Sequence, residues 1–321
     1  MNTKTSPPHP LQKTIHLLIQ GREELLLLHD NIINIIKLVF YLDDYKIKII
    51  SDIENIKKKD IVIPCTVKSQ TLLYKSDIYT ILDNKTLFYR YLYNNYKNKM
   101  KHIHFIPTYD EKYKGENIHS KFLIKPNNSA GSKNQIIKSG YIYEFISKYA
   151  GKNQIQEIID IRVIYEIDFI CKDGDIVGSI FHKTYQKERK TSDYFWGVNS
   201  IQTTNLPKGI IELCKNIIQY VKYNGFISFD FIKDVHGIVY IMECNPRLSG
   251  IIHNPQYFKK LIEPYYNIKS KFCDHLIKTK SHDDDCDNDN DTEVKLYNIP
   301  RRFYDYYLYK TNNIIRYVFN R

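Results

Sequence analysis

In this 321-residue chain, the residues best placed to do chemistry together lie in one stretch. It runs Phe229-Asp230-Phe231-Ile232, then Val239-Tyr240-Ile241-Met242-Glu243-Cys244-Asn245-Pro246-Arg247. Two apolar runs around Asp234-Val235-His236-Gly237 read as a β-hairpin. Strand side chains alternate between faces, so Val239, Ile241 and Glu243 are expected on one face, with Asn245 following on the same side. Asp230 lies on the paired strand, and oxygens of Asp230, Glu243 and Asn245 can converge on one spot. An all-oxygen set suits Mg²⁺, with Mn²⁺ as the alternative, because Mg²⁺ keeps several waters and shares phosphate oxygens with a substrate. The competing reading is a half-buried hairpin with two exposed acids. Glu-Cys-Asn-Pro-Arg directly after an apolar strand favours the metal site. Arg247 follows closely enough to neutralise a phosphoryl group or to grip a carboxylate in a bidentate fork.

The elements that must position this hairpin can be read along the chain. Residues 14–20 read as a buried strand, Gly21 as a turn and 22–40 as a helix, followed by strands at 45–50 and 60–64. That alternation favours a small α/β sheet. No G-x-G-x-x-G follows its first strand and no G-x-x-x-x-G-K-[ST] occurs, so neither a dinucleotide fingerprint nor a Walker loop is present. Residues 76–96 return to helix, with Asp83 read as a cap for the segment from Lys85, and Pro107 marks the exit. A strand at 121–126 leads into the loop Asn-Asn-Ser-Ala-Gly-Ser-Lys-Asn. A strand at 135–137, a helix at 140–149 and a strand at 155–159 follow. Residues 162–170 and 175–182 flank Lys172-Asp173-Gly174, a hairpin with the Asp-Gly signal, and 207–223 is helical. The central region is thus α+β.

Composition narrows the function classes. At 43% hydrophobic and 26% charged the chain is expected to be globular, with length for two or three domains. No run approaches the about 20 apolar residues of a membrane span, and the opening residues lack a signal-peptide layout, so a cytosolic location with no membrane partner is expected. None of the six cysteines forms a C-x-x-C pair, which argues for reduced, packed thiols. The net charge of +11 raises nucleic acid as a partner, but lysines are spread throughout and no nucleic-acid motif accompanies them. Residues 281–293 form an acidic, low-complexity run expected as a solvated loop, without the glycine and glutamate order of a calcium loop.

The order of features resembles the ATP-grasp superfamily, nearest to its carbamoyl-phosphate-synthase-like members. The resemblance rests on Asp230, Glu243-x-Asn245-Pro246-Arg247 and Ser249-Gly250. Upstream of these come Asp83-Asn84-Lys85, Lys125-Pro126, Asn128-Ser129-Ala130-Gly131-Ser132 and Gln156-Glu157-Ile158-Ile159. It implies an α/β N-terminal domain over 1–75 and an α+β ATP-grasp fold over 76–255, whose two subdomains clasp ATP. The small lid would span about 100–158 and the larger metal-binding part about 159–255, with a C-terminal segment over 256–321. By the same resemblance, ATP would be held by Lys85 and Lys125 on the phosphates and by Ser129, Gly131 and Ser132 in a flap. Glu157 and Ile159 would sit at the adenine edge, and Asp230, Glu243 and Asn245 would hold magnesium. Arg90 is the nearest substitute for Lys85. By the same resemblance Arg247 and Lys183 would be the catalytic cations, a solvated loop being the alternative for Lys183. The implied activity is a ligase that phosphorylates a small-molecule carboxylate and passes the acyl group to an amine. A catalytically silent nucleotide-binding scaffold is the alternative. The ribose contact, the substrates and the oligomeric state are left unassigned.

Overall fold

The structure is a computed structural model describing residues 14–20, 46–54, 56–57, 60–128, 135–185, 200–249 and 255–267. The helix expected at 22–40, the flap residues Ser129, Gly131 and Ser132, Gly250, and the acidic run at 281–293 lie outside these residues. Three apolar runs, β1 (Thr14–Leu18), β2 (Lys46–Ile50) and β3 (Ile61–Pro64), form a parallel sheet in the order β2-β1-β3. A helix that the sequence reading did not anticipate, α1 (Val67–Tyr74), follows. Its N-cap Thr66 side chain accepts from the Ser69 N–H, and Lys75 ends it in the left-handed region. Then come α2 (Ile78–Asp83) and α3 (Lys85–Tyr96). Asp83 closes α2, and it is the Asn84 side chain that accepts from the Leu87 N–H at 3.0 Å, so the cap of α3 is Asn84 and not Asp83. Asn is as good a capping residue as Asp, and its position one residue nearer the helix decides the matter.

The region expected as the lid holds a four-stranded sheet in the order β5-β8-β6-β7, made of β5 (Thr108–Tyr109), β6 (His119–Pro126), β7 (Ile136–Tyr141) and β8 (Asn153–Glu157), with α4 (Ile142–Tyr149) packed on it. Tyr109, Phe122, Ile124, Ile142, Phe145 and Ile155 make its own small core. The larger sheet runs β11-β10-β9-β12-β13-β4. It is built from β4 (His104–Phe105), β9 (Ile161–Lys172), β10 (Asp175–Tyr185), β11 (Ser200–Gln202), β12 (Gly225–Asp234) and β13 (Val239–Asn245). Both expected hairpins form. In the first, Asp173 (φ 52°) and Gly174 (φ 88°) are both left-handed between the paired Lys172 and Asp175, the geometry that matches strand twist.

One face of this sheet packs on α2, α3 and α5 (Ile210–Tyr220), burying Phe88, Leu92, Ile167, Phe169, Ile217, Phe229, Phe231 and Ile241 in the largest core. The other face is apolar at both ends. Ile170, Ile180 and Phe226 meet the first sheet and α6 (Pro255–Tyr266), whereas Ile164 and Ile232 meet Ile106. Polar groups lie between the two ends. Gln70 of α1 joins the first unit to this sheet. Its amide donates to Phe226 O, Pro246 O and the Tyr223 hydroxyl, and accepts from the Phe226 N–H. Gly225 makes room for it, since a Cβ there would stand 1.9 Å from Gln70 Oε1, and its φ of +92° suits glycine. Among the described residues no helix is long and apolar enough to cross a membrane.

Candidate active site

The site begins at a fault in a strand. β12 and β13 pair regularly from Lys233–Val239 to Phe231–Ile241, then skip Met242, so that Asp230 faces Glu243 and Ser228 faces Asn245. This extra residue is a β-bulge. It reverses the alternation: Val239 and Ile241 point into the helix-packed core together with Cys244, while Glu243 and Asn245 join Asp230 on the opposite face. The expectation that Val239, Ile241 and Glu243 share a face is therefore corrected. The convergence of Asp230, Glu243 and Asn245 survives because the bulge moves both later residues together.

Residues directly opposite across neighbouring strands share a face. The registers thus align His182, Glu166, Asp230 and Glu243 in one row across β10, β9, β12 and β13, and Ile180, Asp168, Ser228 and Asn245 in the next. Asn245 ties the rows together, its amide donating to Asp230 Oδ2 at 3.1 Å and to Glu243 Oε1 at 3.4 Å. Arg247 donates to Asn245 Oδ1 at 3.2 Å and to the Leu248 carbonyl at 3.2 Å.

Cations arrive from the other subdomain boundary. Lys85, the first residue of α3, is 5% exposed and places Nζ 3.4 Å from Glu243 Oε2. The start of α3 is fastened to the end of β6, where the Lys85 N–H donates to Asn127 O at 3.1 Å and the Thr86 hydroxyl to Asn127 Oδ1 at 2.7 Å. That junction brings Lys125 of β6, 4% exposed, to the same carboxylates. Burial lowers the Lys125 ammonium to about 8, with Lys85 adding to the effect and Glu243 and Asp230 opposing it. For Glu243, burial pushes the carboxyl up, but Lys85, Lys125 and the Asn245 amide outweigh it and hold it below the usual range. Asp230 moves the other way. Burial first, then the charges of Glu243, Glu166 and Asp168, drive it well up. Burial also raises Glu166, to about 7.

Could these residues hold magnesium? Asp230 Oδ1 is buried and has no hydrogen-bond partner among the described residues, and like-charged carboxyls crowd around it, so a cation would relieve both costs. Among the described residues no three carboxylate, imidazole or thiol groups form a closed cage. Two carboxylates with one amide form the sparse oxygen set that magnesium completes with water and phosphate, so the residues fit the ion.

Of the other sequence-predicted residues, Glu157 and Ile159 lie where the lid meets the large sheet. The Glu157 N–H donates to Pro107 O at 3.0 Å, and its carboxylate accepts from the Tyr109 hydroxyl. β8 ends at Glu157, and Ile159, beyond that end, packs with Ile106, Ile164, Ile232, Tyr240 and Met242 in an apolar cluster. Lys183 is not brought to the carboxylates. It pairs with Tyr165 and follows the parity of Phe181 and Tyr165, on the helix-packed side, with Nζ 5.5 Å from the Tyr185 ring centre. Strand alternation, which the sequence reading did not apply here, is the reason. Arg90 pairs with Asp110 at 3.1 Å and Glu111 at 3.5 Å, away from the row. Glu166, Asp168, Ser228 and Ser249 were missed as site residues. Their signal was present in the alternation Glu166-Ile167-Asp168-Phe169, two acids on one face of an otherwise apolar strand.

Comparison with known proteins bears on the same segment. The chain is similar in structure to D-alanyl-alanine synthetase A from Vibrio cholerae O1 biovar eltor, with 11% identity, TM-score 0.53, and coverage of 81% of this chain and 99% of that one. It is similar also to D-alanine-D-alanine ligase from Helicobacter pylori, with 15% identity, TM-score 0.51, and coverage of 80% and 97%. At these identities the likeness is one of fold. No curated protein matches the sequence significantly. The ATP-grasp domain family matches residues 83–251, more than half of the chain and the whole span from the end of α2 to just beyond Ser249, and the chain belongs to that family.

Proposed function

We propose that this protein is an ATP- and magnesium-dependent ligase that activates a carboxylate as an acylphosphate and passes the acyl group to an amine. The observation that carries the reading is the meeting of Asp230, Glu243 and Asn245 with Lys85 and Lys125 on one buried face. Phosphoryl transfer asks a protein mainly for positioning and charge stabilisation, and this set supplies both. Asp230, Glu243 and Asn245 would hold magnesium, whose charge offsets that of the phosphates. Lys85 and Lys125 would bind phosphate oxygens, each already held in place by buried contacts. A nucleotide base would lie against the apolar cluster of Ile106, Ile159, Ile164, Ile232 and Met242, with the main chain beside Glu157 offering its edge hydrogen bonds. Arg247, anchored through Asn245, would orient the reacting carboxylate or phosphoryl group. The ligase names of the two structural relatives agree with this chemistry and do not specify its substrates.

A silent nucleotide-binding scaffold is the rival reading, and turnover separates the two. Thermal unfolding is followed for the full chain and for Asp230→Ala/Glu243→Ala, with and without Mg²⁺ and a non-hydrolysable ATP analogue. Ligand at about 100 times its dissociation constant stabilises the wild type by about 2.7 kcal/mol, and the double variant loses that gain. ADP release with carboxylate and amine mixtures then reports turnover. A nucleotide shift without turnover on any mixture favours the scaffold, and no shift at all removes the nucleotide site.

A further inference from the structure

Beside the proposed magnesium ligands, the same sheet face carries a second set of polar atoms that the mechanism above does not use. Asp168 and Ser228 are direct cross-strand partners on β9 and β12, 3% and 1% exposed. The Ser249 hydroxyl, on the segment after β13, donates to Asp168 Oδ1. Asp168 Oδ2 and Ser228 Oγ are buried and meet no hydrogen-bond partner among the described residues. Leaving a buried carboxylate oxygen and a hydroxyl unpaired is costly, and such atoms call for a ligand that supplies the missing donors.

The surroundings define that ligand. Lys85 and Lys125 act on Glu243, at the far side of the face, whereas the neighbours that act on Asp168 are Glu166 and the Ser249 hydroxyl. Burial and Glu166 push the Asp168 carboxyl up against the pull of Ser249, so the position lacks positive charge. An anion is excluded by the acids themselves. A second magnesium finds one free carboxylate oxygen and one hydroxyl where it needs an octahedron of oxygens. Beyond them the face turns to hydrocarbon, with Ile170, Ile180, Phe226 and Leu248 in one cluster. A primary ammonium meets the conditions of charge and donors, with one positive charge and three N–H groups.

We propose that Asp168 and Ser228, with Ser249 fixing the Asp168 carboxylate, form a subsite for the primary ammonium group of a substrate. This deepens the ligase reading and rests on it. The ammonium belongs either to the amine acceptor or to an amino acid that supplies the carboxylate.

Thermal unfolding of the full chain tests the subsite at constant ionic strength, with and without Mg²⁺ and the non-hydrolysable nucleotide. The probes are propylamine, 4-aminobutanoate and the neutral 1-propanol. Both ammonium compounds are expected to raise Tm in a saturable manner, and propanol is not. Tighter binding of 4-aminobutanoate assigns the ammonium to the carboxylate substrate, and equal binding assigns it to the acceptor. Asp168→Asn should weaken apparent propylamine affinity at least about tenfold while keeping the nucleotide shift, the loss expected for one charge-assisted hydrogen bond. Ser228→Ala should weaken it severalfold and decides the matter if Asp168→Asn does not fold. A nucleotide shift in the wild type with no amine shift overturns the subsite and leaves the ligase reading standing, and so does an amine shift undiminished in the variants that fold. An amine shift that appears without nucleotide, when nucleotide itself gives none, supports the subsite and removes the ligase reading.

Discussion

The two sides of the carboxylate face are built from the same groups and behave oppositely. At Glu243, two buried lysines from different elements overcome the cost of burial and keep the carboxylate charged. At Glu166 and Asp168, two strands away and beyond, burial wins and the carboxyls are driven up, with the buried His182 completing the row. Burial alone therefore does not set the charge state of this face. What sets it is where the α3–β6 junction delivers its cations. One side is charge-balanced by the chain itself, whereas on the other Ser249 and Arg247 pull Glu166 down without overcoming burial.

The largest effect on that contrast should come from Lys85→Met, which strands Glu243 beside Asp230 without its nearest cation. Breaking a buried pair in this way should cost about 3 kcal/mol in a denaturant melt.

A smaller effect separates the far end by pH. Burial lowers His182 from 6.5 to about 4, so its neutral form favours the folded state, and that stability is whole above 6.5 and lost as pH falls toward 4. Glu166 is raised from 4.5 to about 7, so its contribution is whole below 4.5 and lost as pH rises toward 7. Between about 4.5 and 6.5 the two slopes oppose each other. Asp168 and Asp230 are raised too and slope the same way as Glu166, so in metal-free protein Glu166→Gln should shift the pH slope of stability toward that of His182 by about 1.4 kcal/mol per pH unit relative to the wild type, measured by urea unfolding across that range. The smallest effect is Asp230→Asn without metal. Relief of crowding among the carboxyls should raise stability by about 1 kcal/mol, even as the response of Tm to Mg²⁺ and nucleotide disappears.

The contrast also shows what the sequence made legible. Glu243-Cys244-Asn245-Pro246-Arg247 announces itself because acids rarely close an apolar strand without a task. The Asp-Gly turn of the first hairpin was equally plain, since turn chemistry is local. The parity of Glu243 was not, because nothing in Tyr240-Ile241-Met242-Glu243 marks Met242 as the bulged residue. That choice is made by pairing with β12. For Glu166 and Asp168 the alternation was legible but its destination was not. β9 lies beside β12, a neighbour far along the chain, and that adjacency carries Glu166 to the row of Glu243 and Asp168 to the row of Asn245. Asn84 replaced Asp83 as the cap by a single position, within the uncertainty of any helix start.

The Gln70 amide has a consequence for the order in which the molecule is made. Its partners Phe226 and Pro246 lie 156 and 176 residues further along the chain. On a ribosome, α1 emerges early with a side chain shaped for a buried slot that has yet to be synthesised. Closing so long a loop is slow, and the contact forms only after the strand carrying Glu243 has appeared. The opening unit and the carboxylate face should therefore mature in one late step, and a nascent chain halted before residue 246 should hold α1 exposed to proteases.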